Sequence, residues 1–184
     1  MKIKTKLESY NKIKELDLNR LPEEIFTEKQ LDSVKDFLDM YPAEYYAIRD
    51  KSKAGGVFKL AVKKQDIWDE IKGYKLFSIN VSSINYSKNQ LLVGEIMIGK
   101  DAVVWAILSK NPNYSVRDAI RKPDYNLSTN LFDKTLDEIP GFNQIYEYIV
   151  KNKLMNTIVE FAYFDIPVGV NNENIVVYEV RTDY

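Results

Sequence analysis

The stretch from Asn156 to Thr182 constrains the fold most. Asn156 to Asp165 and Ile175 to Thr182 are rich in β-branched and aromatic residues, while Ile166 to Asn174 between them holds a proline, a glycine and three asparagines. Two β-rich runs around such a connection read as a hairpin with a long loop. Strand alternation places Glu160 on one face with Ile158 and Ala162, and Glu179 on one with Val177 and Arg181. Each strand thus carries a carboxylate among residues suited to burial. Two acids and an arginine can hold a divalent metal and a phosphate, or they can form a structural ion pair of the kind common in sheets. Spacing alone leaves both readings open.

Composition narrows the chemistry. The 184 residues contain no cysteine and no histidine. Thiol nucleophiles, disulfides, His-dependent triads and soft-metal sites are therefore excluded. A metal would have to be hard and oxygen-ligated, which favours Mg²⁺ or Mn²⁺. A general base would have to be a carboxylate, lysine or tyrosine. The formal net charge is −1, so no basic field argues for nucleic acid as the partner. The N-terminus lacks the apolar core of a secretory signal, and no apolar run approaches the roughly 20 residues a membrane helix needs. The expectation is a cytoplasmic protein with no membrane partner.

Taken in order, Leu7, Tyr10, Ile13 and Leu16 recur at helical spacing and predict a peripheral helix ended by Leu21-Pro22. Thr27 to Gln30 fits a capping box, with Phe26 and Leu31 placed as a hydrophobic staple. Leu31, Val34, Phe37 and Leu38 then form the apolar stripe of a helix over 28–40. Strands are expected at 44–50 and 57–63 around a cationic glycine turn containing Lys51, Lys53, Gly55 and Gly56. A short helix at 65–72 precedes strands at about 75–84, 90–98 and 102–109. Region 110–141 reads as an excursion, with a short helix opening at Ser115, loop at 126–130 and a helical turn within 129–138. Phe142, Ile145, Tyr146, Ile149 and Val150 mark an amphipathic helix at 142–152 before the terminal hairpin. The fold class is α+β, a mostly antiparallel sheet with flanking helices.

The order of these parts carries a resemblance. Arg49 lies on an early strand before the Gly55-Gly56 turn, and Gly94-Glu95-Ile96-Met97-Ile98-Gly99 lies on a later one. Glu160 and Glu179 with Arg181 close the chain. This resembles the ATP-grasp fold, in which a nucleotide lies between two α+β lobes. The resemblance implies lobes of about 44–93 and 94–184 behind an N-terminal helical segment, 1–43. It implies that Arg49 meets phosphate, that Gly55 and Gly56 belong to a covering loop, and that Glu95, Ile96 and Met97 form the adenine hinge. Glu160 and Glu179 would ligate Mg²⁺ and Arg181 would face the terminal phosphate. The last pair is also similar to the nucleotide-binding end of phosphoenolpyruvate synthase and pyruvate phosphate dikinase.

The function implied is ATP and Mg²⁺ binding by a ligase or phosphotransferase that activates a carboxylate or other small acceptor by phosphorylation. The alternative is a non-enzymatic interaction module in which the same residues form structural ion pairs. Two other clusters stand apart. Arg117, Arg121 and Lys122 with Tyr114 and Tyr125 form a basic-aromatic patch that could receive an anionic co-substrate or a nucleic-acid strand, or be a solvated loop and short helix in a chain of balanced charge. Asp66, Asp69 and Glu70 read as the solvated face of a short helix.

Overall fold

The computed structural model describes residues 3–52, 57–114 and 121–182. From the N-terminus come α1 (Lys6–Glu15), β1 (Glu23–Thr27), α2 (Leu31–Met40), β2 (Tyr45–Asp50), β3 (Phe58–Lys63), α3 (Ile67–Glu70) and β4 (Leu76–Val81). There follow β5 (Gln90–Ile98), β6 (Val103–Ser109), β7 (Tyr125–Asn130), α4 (Phe142–Lys151), β8 (Ile158–Val168) and β9 (Glu173–Arg181). The expected helix opening at Ser115 lies outside the described residues. Among the described residues no helix is long and apolar enough to cross a membrane.

Two compact units result, one of Leu21–Ser87 and one of Met1–Arg20 with Lys88–Tyr184. This differs from the expected lobes of 44–93 and 94–184 behind a helical segment. Residues 21–43 join the smaller unit because β1 pairs with β4 and α2 packs beside β1. Residues 1–20 join the larger one because they run along β9.

In the smaller unit an antiparallel sheet of order β1-β4-β2-β3 packs its apolar face against α2. Phe26, Val34, Phe37, Leu38, Tyr46, Ile48, Phe77 and Ile79 form the core. The stripe read from the sequence is therefore real, but the staple is not. Phe26 is buried in β1 while Leu31 is exposed. Half of the expected capping box survives, since the Thr27 backbone N–H donates to Gln30 Oε1 at 2.8 Å. The helix nevertheless begins only at Leu31, because β1 holds Thr27 in the sheet opposite Leu76. A full capping box occurs instead at the start of α1, between Thr5 and Glu8.

The larger unit has a five-stranded antiparallel sheet of order β7-β6-β5-β8-β9. Leu92, Ile96, Ile98, Val104, Ala106, Leu108, Val159, Phe161 and Val177 point from it into one core with Phe142, Ile145 and Ile149 of α4. Residues 126–130, expected as loop, are the edge strand β7, paired with β6 from Tyr125 to Asn130. Tyr125 and Leu127 share a face and pack on the core, but two apolar residues among polar ones are too short a pattern to read, so the pairing identifies the strand.

The N-terminal segment covers the open edge of β9. The Val180 N–H donates to Ser9 Oγ at 2.8 Å, Thr182 N–H to the Ile3 carbonyl at 3.2 Å, and Val177 N–H to the Asn19 carbonyl at 2.8 Å. An uncovered edge would offer these groups to another chain. Asn19, fully buried, also holds the β8–β9 turn. Its amide nitrogen donates to the carbonyls of Val168 (2.9 Å), Ile175 (2.7 Å) and Glu173 (3.3 Å), and its Oδ1 accepts from Asn171 N–H at 2.9 Å.

Candidate functional site

Strand register gathers the acids. Glu95 of β5 is paired with Glu160 of β8, and Glu160 with Glu179 of β9. Registered partners share a face, so three carboxylates lie in one row across adjacent strands. Gly94, Ile96, Val159, Phe161 and Val180 flank the row along the strands, and their registers place them on the opposite face, towards α4. The row is therefore on the face away from α4. Glu95 and Glu179 are 3% and 5% exposed, and Glu160 is half-buried.

A bulge sets the third position. Between Glu160 and Phe161 on β8 the partners on β9 jump from Glu179 to Val177. Tyr178 is the extra residue. Plain alternation put Glu179 and Val177 on one face, but the bulge separates them: Val177 enters the core and Glu179 joins the acids. A bulge inserts one residue and so inverts the alternation beyond it. Without it the strand would present Glu179 to the apolar core.

Two of the acids hold cations. Arg181 Nη2 donates to Glu95 Oε2 at 2.6 Å, reaching across β8. Such a reach spans two strand spacings, roughly 10 Å, which a long side chain can bridge. Lys6 of α1 donates through Nζ to Glu179 Oε2. The Glu160 side chain has no hydrogen bond or ion pair among the described residues. Three carboxylates thus share a face with two cations, and the buried members are those that are compensated. This follows from the cost of burying an unpaired charge.

The other expected site residues are distributed as follows. Arg49 lies on β2 of the smaller unit, with its guanidinium stacked 4.4 Å from the Phe58 ring centroid. Gly55 and Gly56, with Lys53, lie outside the described residues. Glu95, Ile96 and Met97, expected as a hinge, occupy the interior of β5. Ile96 is part of the core, and Glu95 belongs to the row. The chain passes between the units at Ser87 and Lys88, several residues earlier. In the basic-aromatic patch Tyr114 is buried and Arg121 Nη1 donates to the Asn113 carbonyl at 2.9 Å, while Arg117 lies outside the described residues. Of the acids near α3, Asp66 and Asp69 are exposed and Glu70 pairs with Lys59.

Sequence reasoning missed one member of this region, Lys6, and one buried polar group at the far end of β5, Gln90. Lys6 is one lysine among several in a basic segment, and only the docking of α1 on β9 selects it. Gln90 opens β5, is buried, and has an amide nitrogen with no hydrogen-bond partner among the described residues.

Carboxylate oxygens suit Mg²⁺ in kind. Glu160 and Glu179, register partners on β8 and β9, are the pair that could hold it together with a nucleotide's phosphates. Among the described residues no three acids form a metal site by themselves, and the buried Glu179 and Glu95 face Lys6 and Arg181.

No protein-family model matches the chain, and no curated protein matches it by sequence. Solved structures do. The chain is similar to an N5-carboxyaminoimidazole ribonucleotide synthetase in its ADP complex, with a TM-score of 0.54 at 9% identity over 100% of this chain and 45% of that one. It is also similar to the N5-carboxyaminoimidazole synthase of Aspergillus clavatus in complex with ADP and 5-aminoimidazole ribonucleotide (TM-score 0.52, 14% identity, 98% and 44% covered). A third is macrocyclase MdnC of Microcystis aeruginosa bound with precursor peptide MdnA (TM-score 0.51, 15% identity, 96% and 53% covered). The fold is thus α+β of the ATP-grasp type. The chain spans about half the length of these structures.

Proposed function

We propose that this chain is an ATP-grasp-type nucleotide-binding protein that takes ATP and a small acceptor. The observation that supports this is the row of Glu95, Glu160 and Glu179 with Arg181 on the sheet face away from α4. Buried acids gathered on one face are a recurrent feature of sites that handle charge. Structures that share this fold, by their descriptions, hold ADP.

The reaction class is phosphoryl transfer. An acceptor oxygen bonds to the γ-phosphorus as the bond to the bridging oxygen breaks, and ADP leaves. Such transfer depends on positioning and charge, so the absence of histidine and cysteine is no obstacle. Arg181 is assigned to the terminal phosphate, in keeping with the strand-acid and strand-arginine pattern similar to phosphoenolpyruvate synthase and pyruvate phosphate dikinase. Arg49, on β2 of the smaller unit, is a further cation proposed for phosphate. Glu95 is read as a member of the acid row, in place of the hinge role. Glu160 and Glu179 would hold the Mg²⁺ that the fold implies, together with the nucleotide's phosphates, and it would supply charge stabilisation for the transferring phosphoryl group. The compartment proposed is the cytoplasm.

One observation favours a second reading. The Lys6–Glu179 and Arg181–Glu95 pairs are what a non-enzymatic interaction module with structural ion pairs would show. Thermal unfolding with and without ATP, each with and without Mg²⁺, separates the two. A ligand that binds only the native state adds about 2.7 kcal/mol at 100 times its dissociation constant. The expected result is a rise in Tm with ATP that shrinks in Arg181→Met and Arg49→Met, each read against its own unliganded baseline. No rise at millimolar ATP in any condition would leave the acids as structure and the interaction module as the function.

A further inference from the structure

A cavity of about 180 Å³ lies between the N-terminal segment, the end of α4 and β9, entirely within the larger unit. Val180 lines it and belongs to the core, so the cavity is on the α4 side of the sheet and separate from the acid row on the other face. Ile3, Leu16, Leu154 and Val180 form its apolar lining. Of the polar residues around it, Lys12 is engaged with Glu15 at 2.8 Å, and Thr182 Oγ1 accepts the Ile3 N–H at 2.7 Å. Lys153 and Thr157 are not so engaged. The Lys153 side chain makes no hydrogen bond or ion pair among the described residues. Thr157 is only 9% exposed and its N–H donates to the Leu154 carbonyl at 3.1 Å, but its hydroxyl has no partner among the described residues. Buried hydroxyls are ordinarily hydrogen-bonded, so this one marks a place for the polar atom of a ligand.

We infer that this cavity binds a short-chain carboxylic acid, with its carboxylate held by Lys153 and Thr157 and its hydrocarbon tail against the apolar lining. The volume is a little above the roughly 150 Å³ of a cavity that takes a benzene ring, which sets the ligand at about six to eight non-hydrogen atoms. A carboxylate accepts from both a hydroxyl and an ammonium, and such bonds are charge-assisted. The backbone at Lys153 gives a second observation. As α4 ends, the Lys153 N–H bonds to the Val150 carbonyl at 3.1 Å and the Leu154 N–H to the Ile149 carbonyl at 2.9 Å, with Lys153 left-handed at φ +59°. Glycine is the usual residue at such a position, because it has no Cβ to strain. A lysine there forgoes that ease and places a cationic side chain along the cavity. Ile3 and Leu16 belong to the segment that covers the β9 edge, so occupancy fastens that cover to the end of α4. The site is independent of the nucleotide reading.

The test uses the full chain and three probes that share a six-carbon tail: hexanoate, hexan-1-ol and hexylammonium. Each is titrated by calorimetry at constant ionic strength. Hexanoate should bind most tightly, hexan-1-ol at least about threefold more weakly, and hexylammonium not at all. Thr157→Val keeps the shape and removes the hydroxyl, and it should weaken hexanoate about tenfold. Lys153→Gly should weaken it about threefold, the smaller effect belonging to an exposed cation. The glycine variant should also keep or raise the Tm of the unliganded protein, so that its weaker binding is not a loss of fold. Bound hexanoate should slow amide hydrogen exchange in residues 3–20, which locates it beneath the N-terminal segment. No binding of hexanoate at tens of millimolar, equal binding of hexan-1-ol or hexylammonium, or unaltered binding in either variant overturns the inference. Binding that leaves exchange in residues 3–20 unchanged places the acid elsewhere and overturns it as well.

Discussion

Asn19→Ala is the most demanding perturbation for the larger unit. The side chain is fully buried and belongs to no helix or strand. Its two amide donors serve three carbonyls, with Val168 and Ile175 at 2.9 and 2.7 Å and Glu173 sharing at 3.3 Å. Alanine leaves at least the Val168 and Ile175 carbonyls without their donor in a buried setting. Each such group costs about 1–3 kcal/mol. The Asn171 N–H also loses its acceptor, but it is only partly buried and can turn to water. The expected loss is about 3–5 kcal/mol, which is large beside the roughly 5–15 kcal/mol that holds a domain folded. Urea unfolding followed by far-UV circular dichroism measures it, with an unchanged m-value as the condition for comparison. Asn19→Asp separates bonding from volume. It keeps the shape but brings no N–H donor when ionised, and it aims an acid at three carbonyl oxygens. It should cost as much as Asn19→Ala or more. A loss below about 1 kcal/mol for either variant would refute the view that the amide latches the β8–β9 turn. Because that hairpin carries Glu160 and Glu179, the latch also sets the position of the acid row.

Two further predictions test the same unit. Tyr148 is buried, and burial pushes its phenol up to about 12 from 10.0, against the lowering effect of the Asn19 N–H that it accepts. A raised phenol stabilises the fold fully below pH 10, and that contribution is lost as pH rises towards 12. The stability difference between wild type and Tyr148→Phe, from urea unfolding across that range, should therefore fall with pH; a flat difference would refute it. Gly94 has φ +149°, and a Cβ there would lie 2.1 Å from the Ile107 carbonyl oxygen of β6. Gly94→Ala should cost more than about 3 kcal/mol in the same assay, and a near-neutral result would show that β5 and β6 can part without penalty.

Periodicity was enough for the elements that bury one face. Val34, Phe37 and Leu38 gave α2, Phe142, Ile145 and Ile149 gave α4, and the β-rich runs about Gly169 gave β8 and β9. It failed where pairing and not burial makes the strand. β1 was hidden by a capping signal at Thr27 that reads equally well as a helix start, and β7 alternates mostly polar residues. The site was legible in part for the same reason. Glu160 and Glu179 stand out because each lies in a run that is otherwise apolar. Arg181 follows Glu179 by two, the strand repeat. Nothing in the local pattern ties Glu95 to them, since the partner strands β5 and β8 are more than sixty residues apart in sequence.

The sequence alone determined the chemistry available: no thiol, no imidazole, carboxylates and guanidinium groups on β-rich runs. It also determined the fold class, because hydrophobic alternation and helical stripes are local properties of the chain. Only the tertiary structure decided which charges meet. Register across β5, β8 and β9 aligned the three acids, and the bulge at Tyr178 turned Glu179 out of the core and into their row. The docking of α1 along the β9 edge set Lys6 against Glu179. These are contacts between residues up to 173 positions apart. Their partners are chosen by edge pairing and by the cost of an uncompensated buried charge, neither of which leaves a periodic trace in the sequence.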